Sequence, residues 1–90
     1  MTPEGRLVAE VSRYLRTRGT WFFKVHGSVW QKAGLPDIIG CDRGRFVGIE
    51  LKVRPNRPSA LQLLTIAKIN RAGGVAGVCY SLDDVMALLG

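Results

Sequence analysis

Residues 34–52 read GLPDIIGCDRGRFVGIELK and contain two short apolar runs separated by a turn. The first run begins at Asp37, and the second ends with Glu50 and Lys52. Because side chains alternate between the two faces of a strand, Glu50 and Lys52 point to the same face and Leu51 points to the other. A hairpin that pairs the two runs delivers Asp37 to the same place. This stretch therefore predicts a β-hairpin on which two carboxylates meet beside an ammonium group.

Two carboxylates beside a lysine are typical of a site that binds Mg²⁺ or Mn²⁺ and hydrolyses phosphodiesters. Asp37 and Glu50 would supply carboxylate oxygens, and the main-chain carbonyl of Leu51 could add a further oxygen. Lys52 would stabilise developing negative charge, or orient and deprotonate the attacking water. An acid and a lysine are costly to place on an apolar strand without such a role. The alternative is an ordinary ion pair between Glu50 and Lys52 on a solvated strand.

The rest of the chain predicts two further strands and three helices around this hairpin. The predicted elements are a helix from Thr2 to near Gly19, strands at 21–25, 37–41 and 45–53, a helix from Ser59 to Gly73, a strand at 75–80 and a last helix from Ser81. A meander followed by a helical crossover favours a mixed sheet with helices packed on it. On the second helix, the residues expected to face inward are Leu61, Leu64, Ile66, Ala67 and Ile69.

Length, charge and hydropathy limit the class of protein. Ninety residues indicate a single small domain, residues 1–90. Thirteen Lys and Arg against seven Asp and Glu give a net charge of +6. Since arginine suits phosphate oxygens, we expect nucleic acid or another polyanion as partner, the alternative being charge that serves only solubility. The first residues lack the apolar core of a signal peptide and no run could span a membrane, so we expect a cytoplasmic protein without a membrane partner.

Several segments together carry a resemblance to a known family. Pro36-Asp37, the hairpin and Glu50-Leu51-Lys52 resemble the PD-(D/E)xK nuclease signature. The helix start Ser59-Ala60-Leu61-Gln62 and the strand lead-in Ala72-Gly73-Gly74-Val75-Ala76 make the chain similar to the VRR-Nuc branch, particularly its compact stand-alone phage and bacterial domains. The resemblance covers nearly the whole chain. It implies an α/β fold with a mixed four-stranded sheet flanked by helices, the αβββαβ(α) restriction-endonuclease-like core.

The resemblance also implies roles for individual residues. Asp37, Glu50, Lys52 and Gln62 would be catalytic, with Asp37 and Glu50 as the metal ligands. Gln62 would help to position water or Lys52, or would be only an exposed residue of the first helical turn. Such nucleases also carry an acid on the first helix near the metal, and Glu4 matches that position. Glu10 is the alternative, although it lies nearly two turns further along the helix.

The expected function is that of a metal-dependent DNA endonuclease that uses Mg²⁺ or Mn²⁺ and no organic cofactor. Cations near the site, together with one serine, would contact the DNA backbone: Lys32, Arg54, Arg57 and Ser28. Compact relatives are associated with homodimers that act on branched DNA such as four-way junctions, in the cytoplasm of bacterial or phage-infected cells. Two alternatives stay open. One is a catalytically weak or inactive basic nucleic-acid-binding module, and the other is a small α/β interaction protein whose charges lie only at its surface.

Overall fold

The computed structural model describes residues 1–27 and 32–90. This part of the chain forms helices α1 (Pro3–Arg18), α2 (Ala60–Arg71) and α3 (Leu82–Leu89), and strands β1 (Trp21–Lys24), β2 (Ile38–Asp42), β3 (Arg45–Leu51) and β4 (Val75–Cys79). The strands form one sheet in the order β1-β2-β3-β4. The first two pairs are antiparallel, and β3 and β4 are parallel. The prediction of an α/β fold with a mixed four-stranded sheet is confirmed. None of the three helices is long and apolar enough to cross a membrane.

A tight turn at Arg43 and Gly44 joins β2 to β3 and sets their register. Both residues have positive φ, +53° and +81°, as the commonest two-residue hairpin turn requires. The ladder pairs Asp42 with Arg45 at the turn and Ile38 with Ile49 at the far end. A shift of one residue would turn every side chain of β3 to the opposite face. The turn therefore determines which side chains of the two strands meet on each face.

The main hydrophobic core lies on the face of the sheet that is covered by α1 and α3. Its buried side chains come from both helices and from the sheet: Leu7, Val11, Leu15, Ile38, Val47, Ile49, Leu51, Cys79, Val85 and Leu89. Since Ile49 and Leu51 point into this core, Glu50 and Lys52 point to the other face, where α2 packs. There the side chain of Ile69 approaches Gly48 and Gly74. The apolar core thus lies on one face of the sheet, and Glu50 and Lys52 lie on the other.

The prediction of which α2 residues face inward was wrong in part. Leu61 and Leu64 are 46% and 49% exposed, Ala67 is also exposed, and Ile66 is the one buried residue of this helix. Gln62 and Ile69 are partly buried, and with Ile66 they lie at the spacing of one helical face. The prediction is confirmed for Ile66 and Ile69 and was wrong for the other three residues, because the inward face of α2 includes a glutamine that hydrophobic spacing does not select.

A buried carboxylate, Asp42, ties the end of α1 to the sheet. Its two oxygens accept hydrogen bonds from Nε and Nη2 of Arg18 at 2.9 and 3.0 Å, and Thr20 Oγ1 donates to Oδ1 at 2.6 Å. The guanidinium of Arg45 also lies 3.5 Å from Asp42, and both arginines donate to the carbonyl of Leu89 at the end of α3. The hydrogen bonds from Arg18 lower the pKa of Asp42 to about 2. One carboxylate thus joins α1, β2, β3 and α3.

Replacing Asp42 is expected to destabilise the fold strongly. In Asp42→Asn, Arg18 loses its bidentate partner in a buried site, and such losses cost about 3–5 kcal/mol. Urea unfolding near pH 7 measures the difference. Because the pKa of Asp42 is lowered, its contribution is present above the ordinary carboxyl pKa and is lost as the pH falls towards about 2. The difference in free energy of unfolding between wild type and Asp42→Asn should therefore become smaller over that pH range.

The exposed Asp83 of α3 provides the matched control. Asp83→Asn also removes one negative charge, but it removes only the interaction of that charge with the helix N-terminus. We therefore expect its free energy of unfolding to fall by only about 0.3–1 kcal/mol. Equal losses in the two variants would show that the Asp42 network does not stabilise the fold.

Candidate active site

The hairpin brings the two predicted carboxylates face to face. Because Ile38 pairs with Ile49, the next position of the ladder places Asp37 opposite Glu50. The side chain of Asp37 accepts a hydrogen bond from the backbone N–H of Leu51 at 2.9 Å. On its other side, the Asp37 carbonyl accepts one from the N–H of Val25 at 2.7 Å. Asp37 is therefore held between the chain that follows β1 and the end of β3.

Glu50 is buried, with only 1% of its side chain exposed. Its Oε2 accepts a hydrogen bond from Nε2 of Gln62 at 2.9 Å and lies 3.5 Å from Nζ of Lys52. Its Oε1 is buried and finds no hydrogen-bond donor among the residues that the structure describes. A solvated strand with an ordinary surface ion pair does not match this environment. One carboxylate oxygen is satisfied, while the other lacks any partner from the described chain.

Burial makes Glu50 an unusually weak acid. Removal from water is the largest effect and raises its pKa to about 7, the negative charge of Asp37 adds to the rise, and the ammonium of Lys52 opposes it. The site thus disfavours two negative charges at neutral pH unless a further cation is present. Such a cost is common where carboxylates are arranged for binding or catalysis rather than for stability.

Gln62 is oriented by the start of α2. The backbone N–H of Ser59 donates to its Oε1 at 2.9 Å, and the N–H of Gln62 donates to Oγ of Ser59 at 3.1 Å. These two bonds form a capping box, which occupies the amide oxygen and leaves the amide nitrogen to donate to Glu50. Gln62 is therefore more than an exposed residue of the first turn. The Ser-x-x-Gln pattern is the sequence signal for this arrangement.

The predicted DNA-contacting residues lie in different places around these carboxylates. Lys32 and Asp37 line the same cavity of about 280 Å³, together with Pro36. Arg54 and Arg57 are exposed in the segment between β3 and α2. The guanidinium carbon of Arg54 lies 4.2 Å from the ring centroid of Tyr80. Ser28, also predicted to contact DNA, lies outside the described residues.

The structure does not bring an acid of α1 to the two carboxylates. Within residues 1–27 and 32–90, no group of three or more His, Cys, Asp or Glu side chains is arranged to hold a metal ion. The physical reason is that α1 packs on the core face, opposite to the face of Glu50. Glu4 is exposed in the first turn of α1, and Glu10 lines a separate cavity beside Val53. The geometry therefore gives no support to Glu4 as a third ligand.

The donors that are present fit a hard divalent cation. Two carboxylates oppose each other, and Oε1 of Glu50 is buried without a hydrogen bond from the described residues. Mg²⁺ is usually held by one or two carboxylates, with waters and substrate phosphate completing its ligands. A cation would also offset the repulsion between Asp37 and Glu50. The residues that could hold it are Asp37 and Glu50, with a main-chain carbonyl nearby.

Comparison with known proteins bears on the fold. No protein-family model matches the sequence, and no curated protein matches it. A solved structure described as a VRR_NUC domain matches with a TM-score of 0.80 and 24% identity, over 98% of this chain and 95% of that chain. At this identity the likeness establishes the architecture. The predicted resemblance is confirmed at the level of structure: the chain has the fold of a VRR_NUC domain.

Proposed function

We propose that this protein is a metal-dependent endonuclease of the VRR-Nuc type that hydrolyses DNA phosphodiester bonds. The observation that carries the proposal is the buried Glu50 carboxylate, opposite Asp37 and beside Lys52, with one oxygen that has no hydrogen-bond partner within residues 1–27 and 32–90. A purely structural ion pair would satisfy both carboxylate oxygens or leave them in water. The likeness to a VRR_NUC domain and the net charge of +6 support the same proposal.

In this proposal Asp37, Glu50 and the carbonyl of Leu51 hold Mg²⁺ or Mn²⁺. When bound, the ion supplies Lewis-acid polarisation of the scissile phosphate and lowers the pKa of a bound water. The protein contributes rigidity, because the N–H of Leu51 fixes one oxygen of Asp37 and Gln62 fixes one oxygen of Glu50. Oriented ligands of this kind need no rearrangement when substrate arrives.

Lys52 is proposed as the catalytic cation. Its backbone N–H donates to the carbonyl of Cys79 at 3.1 Å, so the residue is anchored to β4 as well as to β3. Its ammonium lies 3.5 Å from Oε2 of Glu50 and its side chain is 23% exposed, so it can meet both the carboxylate and a bound phosphate. There it would stabilise the negative charge that develops on the phosphate, or orient the attacking water. Gln62 acts through Glu50 as a positioning residue.

Cations around the site are proposed to hold the DNA backbone. Lys32 lines the cavity next to Asp37, and Arg54 and Arg57 lie in the segment that follows Lys52. Contacts of this kind orient the duplex without reading its sequence. The proposal therefore predicts cleavage that depends on DNA shape more than on base sequence.

The finer proposal is a homodimer that cuts branched DNA such as four-way junctions. A two-fold dimer presents two sites to a symmetric substrate, which a chain of ninety residues could not do alone. Large exposed apolar side chains on the sheet support a dimer, since a second copy could cover them: Trp21, Phe23 and Phe46. Sedimentation at working concentrations should give a dimer mass. A monomer mass with junction cleavage intact would contradict this part of the proposal.

Loss of Lys52 should abolish most of the cleavage while leaving the metal site intact. Wild type is expected to cut branched or linear DNA with Mn²⁺, and Lys52→Ala should cut about 10²–10³-fold more slowly, since a positioned charge or base contributes on this order. Initial rates on labelled substrates measure the effect. Mn²⁺ affinity, measured by calorimetry without DNA, should stay within about threefold because Lys52 is no ligand.

Arg71→Ala is the control, since Arg71 is an exposed cation of the last turn of α2, whereas Gln62, which contacts Glu50, lies in its first turn. It should cut like wild type. If Lys52→Ala and wild type cut equally, a contaminating nuclease is the better explanation. If neither cuts any substrate, the protein is better explained as a catalytically inactive nucleic-acid-binding module.

Without metal, Glu50 should make the fold less stable as the pH rises. Its raised pKa means that the folded chain holds the proton more tightly than the unfolded chain does. The free energy of unfolding should therefore fall by about 2–3 kcal/mol between about pH 5 and pH 8. Glu50→Gln keeps a hydrogen-bond acceptor for Gln62 but removes the charge, so it should be more stable than wild type near pH 8. Urea unfolding in EDTA measures both curves.

Glu10→Gln serves as the control, because it removes an exposed acid of α1 and should leave the pH dependence unchanged. Adding Mn²⁺ should stabilise wild type but not Glu50→Gln at about pH 8. A Glu50→Gln variant that is less stable than wild type throughout this range would mean that the carboxylate is a structural element.

A further inference from the structure

A second cavity, of about 320 Å³, opens where β3 and β4 end. We name it the α1 cleft, and its lining residues come from α1 and from the chain just beyond the two strands: Pro3, Arg6, Leu7, Glu10, Arg13, Val53 and Tyr80. Val53 directly follows Lys52, so the cleft begins one residue from the proposed active site. The cavity beside Asp37 and the α1 cleft therefore lie at the same end of the sheet, on either side of the end of β3.

The α1 cleft is positively charged. Arg6 and Arg13 are exposed, and neither forms an ion pair within the described parts of the chain. Glu10 is the one acid among the lining residues, and it too forms no ion pair there. Arg54 stacks on the ring of Tyr80, which leaves the edge of its guanidinium for other partners. Two guanidinium groups thus line the cleft, and a third stacks on one of its lining residues, against one lining carboxylate.

The spacing of these arginines is compatible with an extended anion. Arg6 and Arg13 are seven residues apart on α1, which places their backbones about 10.5 Å apart along the helix axis. Arginine side chains can converge on one anion across such a distance, but side chains that extend in parallel from the helix reach two different phosphates. The spacing therefore suits a chain of phosphates, which repeat about every 3.4 Å of rise along one DNA strand. A strand bound at Lys52 would pass Val53 and reach the cleft.

We propose that the α1 cleft binds the sugar-phosphate backbone of DNA next to the scissile phosphate, through Arg6, Arg13 and Arg54. The position of this contact relative to the cut rests on the proposed nuclease function, whereas the binding itself requires no cleavage. Glu10 limits the affinity, because it places a negative charge between Arg6 and Arg13. The proposed DNA-binding surface thereby extends from the face that carries Glu50 and Lys52 to the side of the molecule formed by α1.

The test is DNA binding by Arg6→Gln/Arg13→Gln without divalent metal. Anisotropy of a fluorescein-labelled duplex over a salt series gives the dissociation constant and its salt dependence. The double variant should bind about 10–100-fold more weakly at low salt, and its log–log salt slope should be smaller by about 2, since each phosphate contact contributes about 0.9. Glu10→Gln should bind more tightly than wild type.

Arg16→Gln/Arg71→Gln is the matched control, because it removes two exposed arginines, one from the same helix, that do not line the cleft. It should stay within about threefold of wild type. If the two double variants weaken binding equally, or if wild type binds no duplex, the proposal is overturned. Should Arg6→Gln/Arg13→Gln fail to fold by circular dichroism, the single variants carry the test, each with a slope change of about 1.

Hydrolysis of bis-p-nitrophenyl phosphate with Mn²⁺ separates this proposal from the nuclease proposal. The small diester carries a single phosphate, so it has no neighbouring phosphate for the α1 cleft to hold, and Arg6→Gln/Arg13→Gln should hydrolyse it at the wild-type rate. A slower rate in that variant would mean that these arginines act at the active site and would overturn the assignment. If wild type hydrolyses nothing but binds DNA with the expected arginine dependence, the nuclease proposal fails and the cleft proposal stands.

Discussion

The pairing register of β2 and β3 is the constraint on which the site depends. The Arg43-Gly44 turn sets that register, and the register puts Asp37 opposite Glu50 on the face away from the main core. The environment of Glu50 follows from this placement. Glu50 is buried between the sheet and α2, its pKa rises, and one of its oxygens lacks a partner among the described residues. The fold thus accepts an electrostatic cost that a cation could relieve.

Local sequence patterns predicted the framework well, because each element carries its own signal. Thr2 caps α1, the hairpin turn lies between two apolar runs, and Ser59 caps α2. Alternation along β3 predicted that Glu50 and Lys52 share a face. The prediction of the inward face of α2 was wrong in part because that face includes Gln62, which the hydrophobic pattern treats as outward. That polar residue faces inward because it hydrogen-bonds Glu50.

Features that depend on packing between distant segments could not be predicted from spacing. The burial of Glu50 requires α2 to lie over the end of β3, and the hydrogen bonds of Asp42 join residues far apart in the chain. The position of the α1 acids is a further example. Helix geometry made Glu4 the better candidate, but the packing of α1 on the opposite face leaves it apart from the carboxylates. The α1 cleft likewise depends on where α1 meets the ends of β3 and β4.

The central claim is that Asp37 and Glu50 together hold a divalent cation. A crystal structure of the protein soaked with Mn²⁺ tests it most directly, because anomalous scattering locates the ion without reference to activity. The account predicts one or two ions between the two carboxylates, with Oε1 of Glu50 as a ligand and contacts of about 2.0–2.2 Å, as hard cations of this size require. Difference density without an ion at that position, or ions bound only elsewhere, would contradict the account.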